Sequence, residues 1–294
     1  MSLALRSSEW LLIAFFGCVA LISPAFPLEP GNRLLPFAVV LLVAALFVVL
    51  AYAEAHGHRE FFSIARDWMP IALVLIAYRE MDWFSTLPRD VHLELTWERW
   101  DQLLLYQHGL QKAIEWLGWV GPAYLEFCYL LVYAVGSFVV AVLYFEHRRE
   151  RVNSVVFLYL LGTLLSYALL PYFPSDPPRV AFGGADMPHV MTALRRLNLW
   201  VVGGYGIHSS VFPSAHVSSA FSAAWAWLAY LPERKRFGYL MLVYAISVGI
   251  ATIYGRYHYS ADVVAGFGIS LIPAAMILLA RLLRHRPRGL LLSP

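Results

Sequence analysis

Eight apolar runs dominate this chain, at residues 10–28, 34–54, 67–84, 119–145, 153–173, 213–231, 237–257 and 261–283. A helix that crosses a bilayer needs about twenty predominantly apolar residues. In lipid, only structures that satisfy every backbone polar group internally can span. The runs therefore predict an all-α fold, a polytopic membrane helix bundle of about eight transmembrane helices. Charged residues make up 14% of the chain, against about a quarter in a soluble domain, so most of the surface faces lipid. A net charge of +3 is too small to point to a nucleic-acid partner. Cys18 and Cys128 both lie in apolar runs, so no disulfide framework is implied.

Pro24 and Pro27 break the first run, and Arg6 before it gives the outline of a signal peptide. Glu9 against the apolar stretch, the bulky Trp10 and the lack of a small-x-small cleavage site favour a retained span instead. Orientation follows from where Lys and Arg collect. Arg148, Arg149 and Arg151 follow the fourth run, Arg234, Lys235 and Arg236 the sixth, and Arg284, Arg286 and Arg288 lie in the tail. With an even number of spans these segments share one side, expected to be cytoplasmic together with both termini. The link after the third run is acidic, with Asp90, Glu94, Glu98, Asp101 and Glu115. It falls on the other side, with the links after the fifth and seventh runs. Residues 93–117 carry Leu93, Trp97, Trp100, Leu104, Ile114 and Leu117 near helical spacing among charges. They read as an amphipathic interfacial helix, either a cover over the bundle or a wall of a lipid-entry groove.

Two short segments at the ends of apolar runs carry chemistry. In Pro213-Ser214-Ala215-His216, a proline at a helix start leaves the amides of Ser214, Ala215 and His216 free to bind an anion, helped by the helix dipole. Alternatively, Ser214 only caps a helix and His216 reaches water. The small residues Ser218, Ser219, Ala220, Ser222, Ala223 and Ala224 that follow permit close helix packing in a membrane. In the second segment, His258 and Asp262 are four residues apart and share a helix face. A carboxylate on one ring nitrogen fixes the tautomer and leaves the other nitrogen basic, which suits a nucleophile or general base. Arg256 lies nearby and can offer a planar fork to phosphate oxygens. In the link after the fifth run, prolines in Phe173-Pro174-Ser175-Asp176-Pro177-Pro178-Arg179 would hold Arg179 at the outer surface, as a second clamp or as an ordinary interfacial arginine. Glu126, Tyr78, Arg79, Glu80 and Asp82 read first as internal pairs that hold the bundle, with headgroup reading as the other use. His189 and His208 could approach a substrate, and Arg195 and Arg196 could attract anionic headgroups.

These pieces, in this order, resemble the type 2 phosphatidic acid phosphatase superfamily of membrane lipid phosphatases and phosphotransferases. Residues 213–216 match its P-S-G-H motif with Ala215 for glycine, and His258 to Asp262 match the end of its S-R-x5-H-x3-D motif. Six positions before His258 stands Thr252, not arginine, and Arg179 follows two prolines with Tyr172 where a lysine belongs. The P-P-R, P-S-x-H and R-x-H-Y-x-x-D pattern looks most like the inositol phosphorylceramide synthase branch. The resemblance implies a six-helix core, with residues 1–66 an added two-span segment, 67–283 the catalytic domain with motifs in 174–216 and 252–266, and 284–294 a basic cytoplasmic tail. It further implies a lipid phosphatase or phosphotransferase with its site on the extracytoplasmic face, a membrane lipid as substrate, and neither cofactor nor metal. In it His258 is the nucleophile, Asp262 its orienter and His216 the general acid and base, while Arg179, Arg256, Ser214 and Ala215 hold the phosphate. Competing readings are a non-catalytic lipid or anion transporter or scaffold, an intramembrane serine hydrolase with Ser214 and His258, and a metal site from His216, His258 and Asp262.

Overall fold

The computed structural model describes residues 4–57, 59–183 and 187–284. All the regular secondary structure among the described residues is helical, and they contain no strand. The long helices are α1 (Ser7–Ile22), α2 (Leu35–His56), α3 (Arg59–Glu80), the pair α6 (Val120–Leu131) and α7 (Val135–Phe145), α8 (Val152–Leu169), α11 (Ala215–Tyr230), α12 (Lys235–Tyr254) and α13 (Ser260–Arg284). Shorter ones lie in the links: α4 (Val91–Gln102), α5 (Leu110–Glu115), α9 (Pro178–Ala181) and α10 (Ala193–Tyr205). Among the described residues, seven helical segments are long and apolar enough to cross a membrane. The expected eighth, residues 213–231, folds as α11 but is only 16 residues long. It is the axis of the bundle, enclosed by α8, α12 and α13, and its small residues are why. Ser218, Ala220, Ser222, Ala223 and Ala224 are wholly buried. Gly162 of α8 approaches so closely that a Cβ there would stand 2.0 Å from the Ser222 hydroxyl.

Several boundaries differ from the sequence expectation for physical reasons. The third span starts at Arg59, not at 67, because Arg66 and Asp67 are buried and paired. Arg66 grips Glu9 of α1 at 2.7 and 2.6 Å and Glu54 of α2 at 2.7 Å. Asp67 accepts from Arg6 at 2.6 Å, Tyr144 at 2.6 Å and Arg149 at 2.7 Å. Glu9, which argued against a signal peptide, is thus the buried anion that ties α1 to α3. Arg148 and Arg151 both bond Glu233 at 2.7 Å, and Arg234 bonds Glu146 at 2.7 Å. The basic links after the fourth and sixth runs therefore meet at one end of the bundle. The basic tail residues Arg286 and Arg288, with the rest of 285–294, lie outside the described residues.

The amphipathic stretch 93–117 is two helices, α4 and α5. A π-helical turn at Leu103–Gln107 and Gly109, whose φ of 71° is left-handed, separate them. α4 covers the bundle and contributes nothing to the wall of the main cavity. Trp97 stacks on Phe212 with ring centroids 4.9 Å apart. Asp101 accepts from Arg256 at 2.6 Å and from the Ser260 amide at 2.8 Å, and Glu98 takes the second arm of Arg256. Removing one partner of a buried charge cluster costs about 3–5 kcal/mol, because the other charges stay buried and uncompensated. Arg256→Ala should lower stability by that order and expose α4 to limited proteolysis, measured by thermal unfolding in detergent. An unchanged melting curve would show that α4 is held by its apolar contacts alone.

Candidate active site

At the end of the bundle opposite the Arg148–Glu233 cluster, the three chemistry-bearing segments meet. Two main-chain hydrogen bonds join them. The Ser214 amide donates to the Asp262 carbonyl at 3.1 Å, and the Arg179 amide donates to the Arg256 carbonyl at 3.1 Å. His258 sits in the five-residue turn between α12 and α13. That turn is closed by the Thr252 carbonyl, which accepts from the amides of Tyr257 and His258 at 2.9 and 3.1 Å. Asp262 lies in the first turn of α13, where a carboxylate is favoured by the helix dipole. Its Oδ2 accepts from the Tyr259 amide and lies 3.0 Å from His258 Nδ1. With the Asp262 carboxylate on Nδ1, the tautomer that carries its proton there leaves Nε2 as the basic nitrogen. Burial, then the positive charge of Arg179, keep the His258 imidazole below its ordinary pKa, so the ring is neutral at physiological pH.

His216, in the first turn of α11, lies edge-on to His258 with ring centroids 5.3 Å apart. Tyr129 stacks on its face at 5.2 Å and Tyr133 abuts its edge at 5.8 Å. One cavity is lined by His216, His258 and Arg179. It runs on between α3 and α8 past Tyr78, Tyr133, Tyr159 and Tyr167. Among the described residues, no carboxylate pairs with the Arg179 guanidinium, which lies 5.5 Å from the Tyr257 ring centroid. An unpaired guanidinium facing two imidazoles in a cavity is an anion site.

The predicted residues divide accordingly. His258, Asp262, His216 and Arg179 come together as expected, and Ala215 lines the same cavity. Its amide and that of His216, in the first turn of α11, have no intrahelical acceptor. Ser214 follows the alternative reading and not the phosphate-binding one: it is the N-cap, its hydroxyl accepts from the Val217 amide at 3.5 Å, and its own amide donates to the Asp262 carbonyl. Pro213 correspondingly precedes the cap. Arg256 is also corrected. Both its arms are held by Asp101 and Glu98, and it does not line the cavity. Of the two arginines expected to hold phosphate, Arg179 lines the cavity and Arg256 does not. Arg195 is wholly buried against Glu126 at 2.7 Å, so it is not a surface lure for headgroups. His189 pairs with Glu115 and His208 with Asp82, both on the exposed surface. The serine-hydrolase reading fails on geometry, because the Ser214 hydroxyl is buried in its cap and makes no bond to His258. Residues that spacing did not reveal are Tyr129, Tyr133 and Tyr257. The first two are far from the motifs in sequence, and Tyr257 was visible only as the residue between Arg256 and His258.

The PAP2 superfamily profile matches residues 83–276, from Trp83 just after α3 into the second half of α13. The chain belongs to the PAP2 superfamily. Comparison with the curated proteins and with the solved structures gives no match. The PAP2 match contains His216, His258, Asp262 and Arg179, and membership supports a phosphatase-type enzyme acting on phosphate esters. For a PAP2 protein the division between its arginines is testable. Arg179→Ala should lower kcat/KM on a phosphate ester by about 10²–10³, the usual effect of removing one charge-stabilising donor, while its melting temperature stays near wild type. A fully active Arg179→Ala protein would remove Arg179 from the site.

Proposed function

We propose that the chain is an integral membrane lipid phosphatase or phosphotransferase that acts on a lipid phosphate or phospholipid through a phosphohistidine at His258. The observation that carries this reading is the single cavity shared by His258, held by Asp262, with His216 and the unpaired Arg179. His258 Nε2 attacks phosphorus, and the bond from phosphorus to the leaving oxygen breaks. His216 gives that oxygen its proton. Water or an alcohol then attacks the phosphohistidine, the P–N bond breaks, and His216 takes the proton from the incoming oxygen. Asp262 stabilises the His258 imidazolium. Arg179 and the first amides of α11 hold the non-bridging oxygens, where charge stabilisation is usually the largest catalytic contribution. Splitting one hard displacement into two is the gain of covalent catalysis.

The P-P-R and R-x-H-Y-x-x-D pattern supports headgroup transfer as in the inositol phosphorylceramide synthase branch, with an alcohol as acceptor. The positive-inside reading supports a site on the extracytoplasmic face, because the basic links after the fourth and sixth runs lie at the opposite end of the bundle. The two spans α1 and α2, which precede Arg59, then stand ahead of the catalytic helices.

Mutants separate the roles. With radiolabelled lipid phosphate and an alkaline quench, which preserves phosphohistidine, wild type should retain label and His258→Ala should retain none. Asp262→Asn should keep a residual rate, since the imidazole survives with a poorer tautomer. His216→Ala should be mildest on substrates with good leaving groups, which need an acid least. Equal damage across leaving groups would remove His216 as the acid, and labelled His258→Ala would end the phosphohistidine proposal. A folded protein that binds such lipids but never turns them over would point to the scaffold reading.

Topology has its own test. Ser175 and Ser209 are buried, so cysteines belong at His208 and Glu150, whose side chains are 73% and 63% exposed. In a Cys18→Ala, Cys128→Ala background, an impermeant thiol reagent added outside should label position 208 and not 150. The reverse pattern would place the site in the cytoplasm.

A further inference from the structure

Behind the cavity lies a buried polar cluster that the catalytic scheme does not use. Glu126 of α6 is 2% exposed, Arg195 of α10 is wholly buried and Tyr257 is 1% exposed. Arg195 donates to Glu126 Oε1 at 2.7 Å, and Asn198 and the Tyr257 hydroxyl each donate to Oε2 at 2.7 Å. Arg195 also donates to the carbonyl of Gly255 at 3.3 Å, in the turn that carries His258. A buried ion pair of this kind could serve only to fasten α10 to α6.

The ring of Tyr257 argues for more. Its hydroxyl has one partner, Glu126, and its faces and edges meet the groups of the site. Arg179 lies 5.5 Å from its centroid, within the range of a cation–π contact. Tyr129 stacks on it at 3.9 Å with planes 11° apart, and His216 stacks on Tyr129 at 5.2 Å with planes 7° apart. Two nearly parallel rings, Tyr257 and Tyr129, thus run between the Glu126 carboxylate and the imidazole of His216, which continues the stack. The same first ring carries Arg179. Any tilt of Tyr257 would be felt by both groups, and the bond to Glu126 anchors its hydroxyl end, alongside the Tyr129 stack and the Arg195 guanidinium 5.8 Å from its centroid.

We propose that Glu126 is a positioning residue for phosphoryl transfer, which through the Tyr257 hydroxyl sets Arg179 over the phosphate oxygens and, through Tyr129, orients His216. This rests on the phosphatase reading above. Glu126 touches no reacting atom; it acts only through Tyr257.

The test is a double-mutant cycle on the purified full-length protein in detergent, with soluble aryl phosphates of graded leaving-group pKa as substrates and vanadate as the inhibitor. Tyr257→Phe keeps the ring and leaves the Arg195–Glu126 charges paired, and so removes only the donor. It should lower kcat/KM by about tenfold, the loss expected for one charge-assisted hydrogen bond. It should weaken vanadate inhibition to a similar degree and steepen the dependence of rate on leaving-group pKa. In an Arg179→Ala background the loss of vanadate affinity should vanish, because the group being positioned is gone. Glu126→Gln should act in the same direction. If that variant does not fold, with Arg195 left without its counter-charge, the Tyr257→Phe cycle decides alone. Wild-type kinetics in a folded Tyr257→Phe protein would overturn the proposal, as would losses that multiply with those of Arg179→Ala. A wild-type protein that turns over neither aryl nor lipid phosphates would instead sink the phosphatase reading, and the positioning role with it.

Discussion

The turn between α12 and α13, residues 255–259, is the constraint on which the rest of the site depends. It breaks what would otherwise be two continuous spans, and nearly every polar group it exposes is claimed by a different element. Its Gly255 carbonyl takes Arg195 of α10, its Arg256 carbonyl takes the Arg179 amide, and the Tyr257 hydroxyl reaches Glu126 of α6. The side chain of Arg256 holds α4. Irregular backbone at the edge of a membrane persists only when its hydrogen bonds are met by surrounding protein. The same bonds that make the turn possible bring Arg179 and the start of α11 to His258. Local demands reinforce this. A Cβ on Gly255 would stand 2.3 Å from the Tyr257 ring. Arg256 has a φ of 59°, a left-handed conformation that costs a non-glycine residue about 1–2 kcal/mol, offset here by its two carboxylate partners.

Charge in this protein is spent at the two ends of the bundle, and each end does a different job. At the Arg148–Glu233 end, Arg6, Glu9, Glu54, Arg66, Asp67 and Arg149 are interleaved so that each buried charge has an opposite neighbour. That cluster locks α1, α2 and α3 to the link before α8, and it leaves no unpaired cation facing a cavity. At the other end Arg256 and Arg195 are neutralised in the same way. Arg179 is the exception among the described residues near the histidines. Its free charge is affordable because it is half-buried and rests against the face of an aromatic ring instead of a carboxylate. An anion that enters the cavity would complete the pairing that every other buried arginine already has.

Seven of the eight expected spans, the class of fold and the nearness of His258 to Asp262 were legible in the sequence because each depends on short-range pattern. An apolar run is a local property, and so is the i, i+4 spacing that lets Asp262 reach His258. What could not be read was partnership across the bundle. Arg66 and Asp67 looked like a reason to shorten the third span, yet Glu9, Glu54 and Arg6 bury them inside it. Ser214 looked like a phosphate donor, but its amide and hydroxyl are both consumed in joining α11 to α13 and capping the helix. The seam at Val132–Ala134 that divides α6 from α7, and sets Tyr133 against His216, leaves no mark in an uninterrupted apolar run.

Arg179 and Arg256 make the same point in chemical terms. By sequence, Arg256 was the better candidate, two residues from the histidine, and Arg179 was a distant residue after two prolines. In the fold the two are joined through backbone, with the Arg179 amide on the Arg256 carbonyl, and their side chains diverge. The acidic α4 decides which of them is available. Asp101 and Glu98 reach the arginine that lies on their side of the turn and leave the other free. The acidity of that link, which in the sequence bore only on membrane orientation, therefore also decides which arginine is left without a carboxylate partner. A proline-stiffened segment thus brings the unpaired Arg179 to the cavity from outside the turn that carries His258, so the two positions can vary independently.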